Sequence, residues 1–458
     1  MPSDHEYVLL EKTISILEDH ILCDRCLGRL FAWLSTATTN TKRGGSLKLV
    51  LSMMAGREVK TGRREVGTRL IRCLAENGLS EEARALAVKE SIDFDPSGEC
   101  EICSIDGTSI FDRMPAIAAR ALEAANDVEY DTLLVGSVPI NRMAEREEEI
   151  RGKFNLLYGE PLKSEFNRAL GKEILDITGK TTDFEHPDIV FVYNMEKDEI
   201  SLQINPIFIY GRYRKLQRGI PQSRWDCSEC GGKGCESCNG TGRRYPDSIS
   251  EYVGDPLQEM VKGTRYKFHA AGREDVDALM VGAGRPFVLE VSEPRVRRPD
   301  LAEATQKINE RSKGKIEVQG LEMTERERAQ TLKAESSENI KEYRAIITID
   351  EEVPEKALKR AESALSETTI HQRTPNRVSH RRSDRIREKR IYEVRLSKID
   401  KETLEGHFRV QGGTYIKELI SGDEGRTKPS IGEILGVNAV CKELNVTAIH
   451  SLDAHHNA

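Results

Sequence analysis

Four cysteines within twelve residues constrain this chain more than any other feature. Cys227, Cys230, Cys235 and Cys238 form C-x2-C-x4-C-x2-C, in which two tight turns each present a pair of thiolates. Glycines fill the gaps and let the backbone curl until both turns face one ion. All four ligands would come from protein, leaving no open position for water, so the expected role is structural. Four thiolates also suit an iron–sulfur cluster. Nothing nearby suggests electron transfer, and zinc is the expected metal. The module, residues 223–247, separates two differently patterned parts of the chain.

At 458 residues the chain is too long for one core and predicts two to four domains. No stretch approaches the roughly 20 consecutive apolar residues of a membrane span, so no membrane partner is expected. The N-terminus has an acidic amphipathic pattern unlike a signal peptide. A cytoplasmic location follows, and with it reduced thiols rather than disulfides for the ten cysteines. The net charge of −7 makes any polyanion-binding surface a local matter.

Before the module, residues 6–20 and 46–97 read as helices with a break at Asn77-Gly78. A further C-x2-C knuckle follows each of them, Cys23/Cys26 after the first and Cys100/Cys103 after the second. Each is half of a tetrahedral site, and together they predict a second zinc site if the helices fold back on themselves. Residues 1–104 are taken as this helical region, and 105–222 as an α/β or α+β domain of alternating strands and helices. Its strands are read at 131–138, 188–193 and 199–209. The last runs into FIYGRYRKLQR, where Arg212 and Arg214 interleave with Tyr210 and Tyr213. Cations for phosphates and rings for bases suit RNA; a solvated strand end explains the pattern as well.

After the module, residues 248–458 are rich in strands. A charged stretch at about 293–335 reads as an insertion. Residues 373–390 hold eight Arg/Lys against two acids and read as a loop facing a polyanion, with Arg377, Arg381 and Arg382 as contacts. Residues 412–420 read as a glycine turn into a helix, and 421–429 as a flexible linker.

The candidate site is the stretch FHAAGREDVDALMVGAGRPFVLEV, residues 268–291. Its Gly282-Ala283-Gly284 could pass for a cofactor loop, but Pro286 and an apolar strand follow where a helix is needed. It is read as a turn. That leaves a carboxylate beside Arg273 as a candidate nucleophile or acid/base. No Ser/His/Cys partner and no second catalytic carboxylate accompany it, which argues against hydrolysis. If residues 273–279 are extended, Asp275 and Asp277 share one face, and pattern alone does not choose between them. The arginine two residues earlier favours Asp275.

The Gly-Arg-x-Asp step at 272–275 resembles the catalytic motif of pseudouridine synthases. Tyr343 in a Tyr-Arg-Ala strand resembles their second motif, and GTYIKEL, residues 413–419, their third. With PDIVFV at 187–192, GRYRK at 211–215 and QRTPNRVSHRR at 372–382, the whole chain resembles the archaeal and eukaryotic tRNA synthases of the Pus-ten type. The four-cysteine cluster points to the archaeal form. The resemblance implies an α+β fold: a mixed, largely antiparallel-sheet catalytic domain behind an N-terminal accessory domain that binds zinc and contains a THUMP domain.

It also implies roles. Asp275 would be the nucleophile that isomerises uridine to pseudouridine, attacking the ribose anomeric carbon or the ring. Tyr343 would stack on the flipped base and take part in proton removal, Lys417 would pair with Asp275 and keep it ionised, Tyr415 would line the pocket, and Arg273 would help hold the RNA or the extruded base. No organic cofactor is implied. The partner would be tRNA, with the adjacent T-loop uridines as targets and the acceptor end on the THUMP domain, bound by a monomer. Other synthase branches carry Gly-Val-His after the aspartate, whereas this chain has Val276-Asp277-Ala278. Two other classes remain: a non-catalytic tRNA-binding scaffold, and a THUMP-linked modifier needing a cofactor loop that the sequence lacks.

Overall fold

The computed structural model describes residues 8–336, 338–381 and 383–450, without the side chains of His380 and Arg381. The chain divides into two compact units at Ile204 and Asn205.

The first unit begins with helices Val8–Asp19, Asp24–Arg29, Asn40–Lys60, Arg64–Glu76 and Glu81–Glu90. Two of these starts carry hydroxyl side-chain caps, where Thr39 accepts from the Lys42 N–H and Ser80 from the Ala83 N–H, satisfying amides that a helix start leaves unpaired. A hairpin of β1 (Ser104–Ile105) and β2 (Thr108–Ser109) follows, then a four-stranded sheet of β3 (Thr132–Val138), β4 (Thr181–Thr182), β5 (Ile189–Asn194) and β6 (Glu199–Ile204). The order is β4-β3-β5-β6, with only the β5–β6 pair antiparallel. Helix Leu162–Thr178 buries Leu162, Phe166, Leu170 and Ile174, one per turn. They meet the alternate buried residues of β5, and the Phe166 ring stacks on Tyr193 with centroids 5.7 Å apart. Local periodicities of four and two thus produce one shared core.

The second unit is built on ten strands: β7 (Ile207–Lys215), β8 (Arg265–Ala270), β9 (Ala278–Ser292), β10 (Ile316–Thr324), β11 (Ile340–Ile349), β12 (Thr368–Arg373), β13 (Ile386–Lys398), β14 (Thr403–Gln411), β15 (Thr427–Lys428) and β16 (Ala439–His450). They run in the order β10-β7-β9-β16-β11-β14-β13-β12-β15, with β8 beside β9. Among the described residues of this unit, only the short β9–β16 pairing is parallel. Helices Ile249–Met260 and Leu301–Ser312 pack Val253, Leu257 and Ile308 near Phe287 on one part of the sheet. Helices Glu355–Leu365 and Ile416–Ser421 pack Leu358 and Leu419 near Ile347 and Phe408 on another. The mixed α+β class expected from the sequence is what forms.

Four local readings differ. The run taken as one strand at 199–209 breaks at Asn205-Pro206, because proline lacks an N–H and restricts the residue before it. Its second half, β7, pairs with β9 and β10 in the second unit and so lies outside the 105–222 grouping. The stretch read as an insertion supplies β10, an outer strand of the main sheet. The glycine turn at 282–286 is a bulge within β9. Met280 pairs with Lys215 and Arg285 with Tyr213, so the residues between must bunch up, with Gly282 and Gly284 at φ +61° and +76°. A Cβ on Gly282 would lie 2.1 Å from the Thr447 carbonyl oxygen. Finally, the linker at 421–429 contains β15, paired with β12, and the basic stretch ends in strands on both sides.

Candidate active site

The loop between β8 and β9 carries Arg273, Glu274, Asp275 and Asp277. It turns at Gly272, φ +83°, where a Cβ would come within 2.7 Å of Lys341 Nζ. Two basic residues from the end of β7 pin its backbone. Lys215 Nζ donates to the carbonyls of Asp275 at 3.2 Å and Val276 at 2.7 Å. Arg218 Nη1 donates to the carbonyls of Asp277 at 2.6 Å and Leu444 at 2.8 Å.

Neighbouring acids then point opposite ways. Glu274 enters the core, where it accepts from the Tyr213 hydroxyl at 2.8 Å and forms an ion pair with Arg285 Nε at 2.8 Å. Gln222 donates to the Tyr213 hydroxyl at 2.9 Å and to the Gly272 carbonyl at 3.0 Å. Tyr213, read as a stacking ring, is fully buried in this network. Asp275 instead faces a cavity of about 480 Å³ that Arg273, Tyr343, Arg377, Tyr415 and Lys417 also line.

Asp275 sits between two cations. Arg377 Nη1 donates to its Oδ1 at 3.1 Å, and Lys417 Nζ lies 3.7 Å from its Oδ2. Arg377 is steered by Glu418, whose Oε1 accepts from Nε at 2.7 Å. Burial pulls the Arg377 guanidinium down, but Glu418 and Asp275 outweigh it and hold it firmly protonated. Lys417 is closer to Asp277 Oδ2, at 2.6 Å. Burial raises the Asp277 carboxyl, and the Lys417 contact reverses this to a net lowering. The Asp277 side chain is 67 % exposed against 31 % for Asp275, and it does not line the cavity. Burial pushes the Tyr343 hydroxyl up to about 12.

Tyr415 is held by Gln372 of β12, which donates to its carbonyl and accepts from its N–H, both at 2.9 Å. The Arg273 guanidinium lies 4.9 Å from the centre of the Trp225 ring. The structure thus brings together Asp275, Arg273, Tyr343, Tyr415, Lys417 and Arg377. It places Arg212 on the carbonyls of Ala283 and Gly284, both at 2.8 Å, and Arg214 on Glu317, outside the cavity lining. Arg382 and the side chain of Arg381 lie outside the described residues.

Residues 208–450 match the family described as Pus10, C-terminal, and residues 117–194 match the Pus10 THUMP domain, archaeal. The chain belongs to the Pus10 family. Curated relatives named tRNA pseudouridine synthase Pus10 include one from Methanocaldococcus jannaschii, 42 % identical over 95 % of this chain and 93 % of that protein. Another, from Methanothrix thermoacetophila, is 39 % identical over 96 % of this chain and 94 % of its own. The Pus10 C-terminal match begins within β7, in line with that strand's place in the second unit.

In this Pus10-family chain the cysteines gather into two groups, Cys23, Cys26, Cys100 and Cys103, and Cys227, Cys230, Cys235 and Cys238, each with its sulfurs within 4.8 Å of one another. Zinc bound tetrahedrally by thiolates at about 2.3 Å sets sulfurs about 3.8 Å apart. Cys23–Cys103 at 3.6 Å, Cys227–Cys235 at 3.8 Å and Cys230–Cys238 at 3.9 Å match that edge. Backbone N–H groups of Cys26, Gly234 and Gly242 donate to ligand sulfurs, the outer contacts that orient thiolates. The knuckles 80 residues apart meet because Ile21 and Glu101 clamp them: the Glu101 N–H donates to the Ile21 carbonyl at 2.9 Å, and the Ile21 N–H to Glu101 Oε1 at 3.0 Å. No described helix is long and apolar enough to cross a membrane.

Sequence reasoning missed Glu274, Arg285, Lys341, Glu418 and Trp225. Glu274 lay in plain sight beside Asp275. Only its depth separates the two, and depth depends on β7 and β9 meeting.

Proposed function

We propose that the chain isomerises uridine to pseudouridine in the T-loop of tRNA, with Asp275 as nucleophile. Its Pus10 relatives over nearly the full chain support the reaction class, an isomerase acting on tRNA. The observation that carries the residue-level reading is Asp275 held between Arg377 and Lys417 in a cavity that Tyr343 also lines. A scaffold that only bound RNA would have no use for such an arrangement.

Asp275 attacks the nucleoside, the glycosidic bond breaks with its electron pair going to N1, the uracil turns, and C5 joins C1′ as the bond to Asp275 breaks and frees the carboxylate. Arg377 and Lys417 face the carboxylate from either side and orient it. Tyr343 stacks on the flipped base, Tyr415 closes the pocket wall, and Arg273 holds the RNA. Flipping costs a few kcal/mol of unstacking, offset by such stacking and by basic surface. The THUMP domain takes the acceptor end, and the enzyme acts as a cytoplasmic monomer. Both four-cysteine groups hold zinc in a structural role.

Tritium release from C5-labelled uridine in a T-arm tRNA, without added cofactor, tests the activity, and mapping the product tests the position. Release at neither T-loop uridine ends this reading. For the metal, purified protein is expected to carry two zinc ions, one per cysteine group, and Cys238→Ser to carry one. Metal-free protein with an unchanged melting curve would contradict this.

A further inference from the structure

Lys341, on β11, is 5 % exposed. It lines the same cavity as Asp275 and Tyr343, yet no described residue offers it a counter-ion or hydrogen-bond acceptor. Tyr343, two residues on, shares its strand face. Glu342 between them pairs with His450. Arg285 from β9 and Lys389 from β13 bring like charge towards Lys341. The nearby anion, Glu274 from the β8–β9 loop, is already paired with Arg285. Across the cavity, Asp275 is held by Arg377 and Lys417. A buried amine without a partner is costly and makes sense where a substrate supplies the contact.

We propose that Lys341 is a further catalytic residue, its amine receiving the proton that leaves C5 of the target uracil. The inference rests on the isomerase reading above. Once the C5–C1′ bond has formed, the C5–H bond breaks and its electron pair restores the C5–C6 double bond. The proton goes to the Nζ lone pair, and the resulting ammonium returns it to solvent. N1, which kept the electron pair of the glycosidic bond, takes its proton from water. Burial first, then Arg285, bring Lys341 down to about 7, suited to a base at neutral pH. The Tyr343 hydroxyl, pushed up to about 12, is neutral there and the weaker acceptor.

The test is single-turnover tritium release as a function of pH, with tRNA binding and thermal unfolding as controls. The wild-type rate should rise with pH through a midpoint near 7, since the base must shed its proton. K341M should lose that limb and at least about a hundredfold in rate, the usual scale for a general base. K341R should be as slow as K341M, because a guanidinium stays protonated, while both bind tRNA normally. Wild-type speed in K341R, or a wild-type profile flat around neutrality, overturns the proposal, and the second needs no variant to fold. If wild-type enzyme forms no pseudouridine at all, the isomerase reading fails instead.

Discussion

Asp275→Ala is expected to slow pseudouridine formation by more than about a thousandfold, the scale on which removal of a principal catalytic group is felt. The fold should be untouched. The side chain is 31 % exposed and its contacts are with cavity side chains, whereas the loop is held through backbone carbonyls by Lys215 and Arg218. Asp275→Asn should be nearly as slow, since it keeps the shape but loses the charge facing Arg377 and Lys417. Asp277→Ala should stay within about tenfold of wild type, one step of 1.4 kcal/mol. Single-turnover tritium release compares the three, with melting curves as the control. The reverse pattern, an active Asp275→Ala and a dead Asp277→Ala, would hand the nucleophile's role to Asp277.

Arg285→Met is expected to be the most damaging single change to the stability of the second unit. Arg285 and Glu274 each expose about 1 % of their side chains. Removing one leaves the other as an unpaired buried charge, at a cost of roughly 3–5 kcal/mol. Removing both need not be as harmful, because a well-packed apolar pair avoids the desolvation penalty that the ion pair carries. The double variant Arg285→Met with Glu274→Leu should therefore recover a good part of the loss. Urea unfolding of the single and double variants measures this coupling. Strict additivity would mean that the pair contributes nothing as a pair. Arg285 is also packed near Gly272 and Lys341, so Arg285→Met should lower activity even where the protein stays folded.

The sequence by itself determined the chemistry that depends on residue type and short spacing. The Cys227 to Cys238 spacing allows little but a four-thiolate site, and the sulfurs lie where that spacing requires. In the first unit, helix Glu81–Glu90 follows from its Ser80 cap and helix Leu162–Thr178 from apolar residues four apart. The string from Gly272 to Asp275, with Tyr343 and Lys417, marks one cavity, although those residues are far apart in the chain. Only the tertiary structure decided who partners whom. A strand's own pattern gives its faces and not its neighbours, so β7 could be read into the wrong unit. The arginines were the hardest to assign, because a guanidinium serves phosphate, carboxylate or carbonyl equally well. Arg377 turned to Asp275, Arg214 to Glu317 and Arg212 to the bulge of β9. The same holds for Glu274, Asp275 and Lys341. Their side chains are ionisable whatever the fold, and it is burial that makes one a structural anchor, one the proposed nucleophile, and one the proposed base.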